Sequence, residues 1–249
     1  MIRCFYMNIG KKMEEWQETA LEKILPAERL EKKKRLRDRK KADRYLLSSV
    51  LLQYGIGQVC GLPIRAVAYE YGEYGKPLLR RSESVPGDHF NLEKMKIDFN
   101  LSHSGEYAVL AISDAPIGID IEQKHSGGLQ IAKRCFCPEE YQDILAGETQ
   151  QERDMRFLQY WTMKEAYVKR IGKGMRVPLS SFRVHREEAA LSYVEDSSIY
   201  FFSQMMNFGT YRMSVCSEKK EDLNIFIDLC KINSNYMQKI TIEDVFASG

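Results

Sequence analysis

The chain has 249 residues, 44% of them hydrophobic and 29% charged, and a formal net charge of +2. That balance excludes a disordered chain and gives no global reason to expect nucleic-acid or membrane binding, while the length suffices for one large domain or two small ones. Cys4, Cys60, Cys135, Cys137, Cys216 and Cys230 form no Cys-x-x-Cys pair and neighbour no histidine cluster, so reduced thiols are expected rather than a zinc site or a disulfide framework.

Residues 2 to 9 read as a strand, and Met13 to Leu25 as a short amphipathic helix ending at Pro26. The opening residues lack the apolar core of a signal peptide, and no run approaches the ~20 apolar residues of a membrane span. The cytoplasm is therefore the expected compartment. Ala27 to Val59 reads as one or two helices, basic first and apolar later, punctuated by Gly55, Gly57 and Gly61. Between Arg29 and Arg44 ten Lys or Arg face only Glu31, Asp38 and Asp43. Such a run is either a solvated face or a seat for a phosphate-rich ligand.

Ala66 to Tyr71 and Leu78-Leu79 read as strands around a Gly-Glu-Tyr-Gly-Lys-Pro turn. Asp98 to Leu101 and Tyr107 to Ile112 are two more, joined by a polar turn, Ser102-His103-Ser104-Gly105, where backbone N–H groups could meet an anion. The plainer reading is that such serines satisfy their own backbone. Ile117 to Glu122 is a strand whose isoleucines alternate with Gly118, Asp120 and Glu122, which buries one set and projects both carboxylates from the other face. Paired acids of this kind are a solvated strand face or a magnesium site.

Helices are expected at Leu129 to Arg134, Pro138 to Leu145 and Gln151 to Ile171, the last stopped by Gly172. On the last, Phe157, Trp161, Glu165 and Val168 share a stripe, so Glu165 stands where an apolar residue belongs. It is either half of a Glu165–Lys169 surface pair or a buried carboxylate in need of a cation. Beyond Pro178, Ser181 to His185, Ile199 to Gln204 and Tyr211 to Cys216 are the strand candidates, and Asp222 to Gly249 stays unassigned.

Taken in this order, Phe99-Asn-Leu-Ser-His-Ser-Gly105, Gly118-Ile-Asp-Ile-Glu122 and Trp161-Thr-Met-Lys-Glu-Ala-Tyr-Val-Lys-Arg-Ile-Gly-Lys-Gly174 resemble the motifs of the surfactin-type 4′-phosphopantetheinyl transferases. The resemblance also takes in the Pro26 to Arg44 helix, Tyr-Gly-Lys-Pro and Leu129 to Tyr141, and so spans roughly residues 1 to 216. It implies an α+β fold of two similar α+β halves packed as an intramolecular pseudodimer, here 1–115 for the coenzyme A nucleotide and 116–249 for magnesium and the carrier protein.

The implied activity moves the phosphopantetheine arm of coenzyme A onto a serine of an acyl or peptidyl carrier protein. The resemblance makes Asp120, Glu122 and Glu165 the Mg²⁺ ligands, Lys169 the lysine on the pyrophosphate and Glu140 a carboxylate near the attacking serine. Arg29, Lys32, Arg44, Lys76, Ser102, His103 and Lys164 would hold coenzyme A. The segment Lys124–Phe136 is the expected docking surface of a cytoplasmic monomer that needs neither nucleic acid nor membrane. A metal-dependent phosphodiesterase or nuclease would use the same acids but leaves the histidine-serine segment and the Trp161 to Lys169 helix without a role. A degenerate carrier-binding protein would not need its acids and Lys169 intact.

Overall fold

The computed structural model describes residues 1–80, 97–124, 127–187, 191–206, 210–223 and 237–248. In the first half, strand β1 (Ile2–Asn8) is followed by helices α1 (Glu15–Glu22), α2 (Ala27–Lys34) and α3 (Arg39–Cys60). The long basic-then-apolar stretch is thus two helices. The break falls at Asp38, whose side chain accepts a 2.8 Å hydrogen bond from the Lys41 backbone and so caps α3. A small hairpin of β2 (Tyr69–Tyr71) and β3 (Pro77–Leu79) precedes β4 (Asp98–Ser104) and β5 (Tyr107–Ser113).

The second half holds β6 (Ile117–Gln123), α4 (Gly128–Cys135), α5 (Pro138–Leu145), α6 (Gln150–Ile171), β7 (Val184–His185), β8 (Ser192–Val194), β9 (Tyr200–Met205) and β10 (Tyr211–Ser217). Each half has one 22-residue helix, α3 or α6, ended by a left-handed glycine, Gly61 at φ 67° or Gly172 at φ 71°. Each lays that helix on a mostly antiparallel sheet: β11-β1-β5-β4 in the first, where β11 is Gln238–Lys239, and β6-β10-β9-β8-β7 in the second.

Strand β11 (Gln238–Lys239) and the short helix α7 (Ile242–Ala247) come from the stretch that the sequence left unassigned. They return to the first half: β11 runs parallel to β1, Ile240 and Val245 enter its core, and Phe246 stacks on Trp16 at 5.5 Å. Cys230 lies outside the described residues.

Three apolar clusters fill the layers. One lies between α3 and the first sheet around Leu46, Leu51, Phe99 and Leu110. A second joins the inner faces of the two sheets, Ile2, Cys4, Val109 and Ala111 meeting Ile117, Ile119, Ile121, Met213 and Val215. The third lies under α4, α5 and α6. The isoleucine alternation of β6 thus faces the inter-sheet core, as the period of two requires, and the opposite face of the strand meets α6.

Candidate active site

Strand β4 is the edge of the first sheet and β6 the edge of the second, and the polar residues cluster where these edges and α6 meet. Asp120 on β6 is only 5% exposed. Its Oδ1 accepts hydrogen bonds from Ser102 Oγ of β4 at 2.8 Å and from Lys169 Nζ of α6 at 2.6 Å, and Lys169 Nζ also donates to Ser102 Oγ at 2.7 Å. Three elements and both halves meet in this triangle. Its dimensions depend on Gly118, because a Cβ there would run into the Ala166 carbonyl of α6.

Glu122, two residues on, accepts a 2.6 Å hydrogen bond from Ser104 Oγ. Glu165 lies one turn before Lys169 on α6, and its carboxyl is pushed above the usual range by burial and then by the negative charges of Asp120 and Glu122, with Lys169 opposing. The three acids therefore share one electrostatic environment, and the lysine of the supposed Glu165–Lys169 surface pair bonds across the seam instead. Among the described residues no three His, Cys, Asp or Glu side chains form a ready-made metal cage. The donor set nonetheless suits a hard cation, since Asp120 Oδ2 is buried without a hydrogen-bond partner and Mg²⁺ takes few protein carboxylates alongside phosphate and water oxygens.

On the first-half side His103 is exposed, and its pKa is drawn below the ordinary histidine value by desolvation first and then by the positive charges of Lys169 and Arg44. Lys76 bonds Asp98 Oδ2 at 2.7 Å and runs beside Gly172 at the end of α6. Arg29 is 6% exposed, donates to Ser49 Oγ at 3.1 Å and lies 4.9 Å over the Tyr69 ring, while Lys32 is exposed over Tyr45 at 5.6 Å. The structure thus groups Arg44, Ser102, His103 and Lys169, and sets Arg29 and Lys32 on α2 beside Tyr45.

Three expectations need correction. The segment Ser102-His103-Ser104 is strand, paired Ser102↔Val109, His103↔Ala108 and Ser104↔Tyr107, and the turn is confined to Gly105 and Glu106. Gly105, at φ 53°, supplies the left-handed conformation that lets the turn be so short. Glu140 is enclosed rather than open at the seam. It is 1% exposed, its oxygens accept from the backbone of Cys137 at 2.9 Å and Val184 at 2.7 Å, and it pairs with Lys164 at 2.8 Å.

Lys164, in turn, is fully buried and not open to coenzyme A; its ammonium also donates to the carbonyls of Leu179 and Phe182, each at 2.7 Å. Burial pulls its pKa below the ordinary lysine value, opposed by Glu140. The pair is an internal brace under the third core.

In the expected docking segment, His125 and Ser126 lie outside the described residues. Lys133 and Arg134 of α4 are exposed beside the half-buried Leu129 and Ile131. Ser104 went unrecognised as a contact of Glu122; its place two residues after Ser102 was the available signal.

A family model described as the 4′-phosphopantetheinyl transferase superfamily matches residues 116–216, and one described as 4′-phosphopantetheinyl transferase, N-terminal, matches residues 12–115. The chain is similar to the 4′-phosphopantetheinyl transferase Sfp of Bacillus subtilis strain 168, at 35% identity over 198 residues, 78% of this chain and 82% of the relative. It is also similar to the 4′-phosphopantetheinyl transferase psf-1 of Bacillus pumilus, at 36% identity over 181 residues, 72% of each chain. Among solved structures, a holo-[acyl-carrier-protein] synthase from Thermotoga maritima aligns over 41% of this chain and 61% of its own, at 14% identity and a TM-score of 0.34.

Proposed function

The chain belongs to the 4′-phosphopantetheinyl transferase superfamily, and from that premise we propose that its reaction runs at the seam of β4, β6 and α6. The enzyme transfers the 4′-phosphopantetheine group from coenzyme A to a serine of an apo carrier protein and releases 3′,5′-adenosine bisphosphate. The relatives from Bacillus subtilis and Aneurinibacillus migulanus carry 4′-phosphopantetheinyl transferase names, and nothing supports a phosphodiesterase or nuclease. No helix among the described residues is long and apolar enough to cross a membrane.

The observation that carries the site assignment is Lys169, whose ammonium bridges the halves through Asp120 and Ser102. Phosphoryl transfer depends on positioning and on neutralising charge rather than on covalent help from the protein. We assign Lys169 to the pyrophosphate, where its charge stabilises the departing nucleotide phosphate more than the bound ground state. Ser102, His103, Arg44 and Lys76 receive the nucleotide end, with Arg29 and Lys32 on the neighbouring helix. Asp120, Glu122 and Glu165 would hold magnesium, which when bound neutralises negative charge on the transferring phosphate.

The acidic carrier docks on α4, where Lys133 and Arg134 flank apolar Leu129 and Ile131 within the segment Lys124–Phe136. Residues 1–115 form the coenzyme half and 116–249 the metal and docking half, except that β11 and α7 pack on the first half, within a cytoplasmic monomer. Intact-mass spectrometry of several apo carrier proteins, incubated with enzyme, coenzyme A and Mg²⁺, tests the reading. A phosphopantetheine-sized gain on the carrier serine is expected. No gain on any carrier, with coenzyme A cleaved instead, would overturn it.

A further inference from the structure

An edge strand leaves alternate backbone N–H groups without a sheet partner. In β6 these are the donors of Ile117, Ile119, Ile121 and Gln123, since the intervening residues face β10. Isoleucine side chains cannot accept them, and Ile117, Ile119 and Ile121 are buried between the halves, so water is not their partner; Gln123, at the exposed end of the strand, also donates to Glu122 Oε1 at 3.1 Å. Each is taken instead by a side chain of β4. Ile117 N donates to Asp98 Oδ2 at 2.8 Å, Ile119 N to Asn100 Oδ1 at 3.1 Å, Ile121 N to Ser102 Oγ at 3.4 Å and Gln123 N to Ser104 Oγ at 3.1 Å. Every second residue of β4 is an oxygen-bearing rung, and every second residue of β6 hangs from one.

Two edge strands from different sheets are thereby held at a fixed register without backbone pairing. The last two rungs double as contacts of the acids, Ser102 to Asp120 and Ser104 to Glu122. A slip of one residue would turn Asp120 and Glu122 into the inter-sheet core and the isoleucines toward α6. Asn100 is the second rung, 7% exposed, and its Oδ1 accepts from the backbone of β6.

We infer that Asn100 is a positioning residue for the transfer reaction: through the Asp98–Asn100–Ser102–Ser104 ladder it fixes β6 against β4 and so places Asp120 and Glu122 beside Lys169. The inference rests on the assignment of those acids to the reaction. Asn100 acts at one remove. Its loss leaves the first-half cations in place and displaces the acid strand relative to them, so turnover suffers more than coenzyme A binding.

The test compares wild type with Asn100→Leu, which keeps the approximate volume but removes the acceptor, and Asn100→Asp, which restores an acceptor of the kind Asp98 supplies at the first rung. Amide exchange is read residue by residue, together with kcat and the KM for coenzyme A on one apo carrier. In wild type the amides of Ile117, Ile119 and Ile121 exchange slowly, as bonded core donors do. In Asn100→Leu the Ile119 amide exchanges at least roughly tenfold faster, kcat falls by up to about 10²-fold, the scale of a misplacement near 1 Å, and KM stays within about threefold. Asn100→Asp recovers most of both signals.

Rapid exchange of these three amides in wild type would overturn the ladder whatever the variants do, including a variant that fails to fold. An Asn100→Leu enzyme with faster Ile119 exchange and unchanged kcat would overturn the positioning role. An inactive wild type under the same conditions, with the amides protected, would instead fault the functional reading on which the inference rests.

Discussion

Gly118→Ala adds one methyl group at the closest approach of β6 to α6. The new Cβ would stand inside the contact distance of the Ala166 carbonyl oxygen and 2.8 Å from the Arg170 backbone nitrogen. Carbon contacts settle near ~3.5 Å, and neither neighbour is the movable tip of a side chain, so the helix must withdraw by about 1.5 Å. The same helix carries Lys169, whose ammonium sits 2.6 Å from Asp120 and 2.7 Å from Ser102. A withdrawal of that size stretches both beyond the ~3.2 Å limit of a good hydrogen bond. Turnover should fall by about 10²-fold. Overpacking of this kind costs about 1–3 kcal/mol, and each kcal/mol lowers Tm by roughly 2–4 °C in a chain of this size. Carrier modification followed by mass spectrometry gives kcat, and a thermal melt gives Tm. A Gly118→Ala enzyme with kcat within twofold of wild type would refute the claim that strand-to-helix distance sets the site.

Lys169→Ala should lower kcat by roughly 10²–10³-fold, the scale for one preorganised charge-stabilising donor, with a smaller change in the KM for coenzyme A; equal losses in both would mark it as a binding residue only. Glu140→Ala strands the buried Lys164 ammonium, so a loss of about 3–5 kcal/mol is expected, visible in chemical denaturation; unchanged stability with abolished turnover would restore Glu140 to the chemistry. Burial opposes ionisation of Asp143, yet hydrogen bonds and charge from Arg186, the Tyr160 hydroxyl and the Arg156 charge hold its carboxyl below the ordinary value of 3.8. Its stabilising contribution is therefore complete above that value and lost as pH falls through the lower folded-state pKa. Melting curves of wild type and Asp143→Asn should differ at neutral pH and converge in strong acid; parallel curves across the range would count against the pairing.

The helices and the long strands were legible in the sequence because each presents a whole apolar stripe or an unbroken alternation. The Gln151 to Ile171 prediction misses the observed start, Gln150, by one residue, since the capping box from Thr149 to Glu152 and the terminal Gly172 mark both ends. Short pieces that depend on distant partners were not legible: β8, β11 and α7 are two to six residues each, and their stability comes from strands and cores elsewhere in the chain. Glu165 was legible as an acid on an apolar stripe, and Asp120 and Glu122 as a carboxylate pair on the strand face opposite the isoleucines.

The enclosure of Glu140 was not foreseen because its place in the motif suggested chemistry. Its position three residues after Cys137, at the start of a helix opened by Pro138, carries the local sign of a capping residue. Nothing local announces that Lys164 is wholly enclosed, because lysine is almost never fully buried and its partners come from α5 and from the segment after α6. The rungs of β4 looked like ordinary polar strand positions, and their role follows only when β6 is set beside them.

Single-turnover transfer by Asp120→Ala, with coenzyme A, Mg²⁺ and the enzyme in excess over an apo carrier, tests most directly whether the seam is the transfer site. Asp120 meets Ser102 of the first half and Lys169 of the second, so its removal should abolish phosphopantetheinylation while circular dichroism still reports the native fold. Transfer at a rate near wild type by the folded variant would contradict the placement of the reaction at Asp120, Glu122, Glu165 and Lys169.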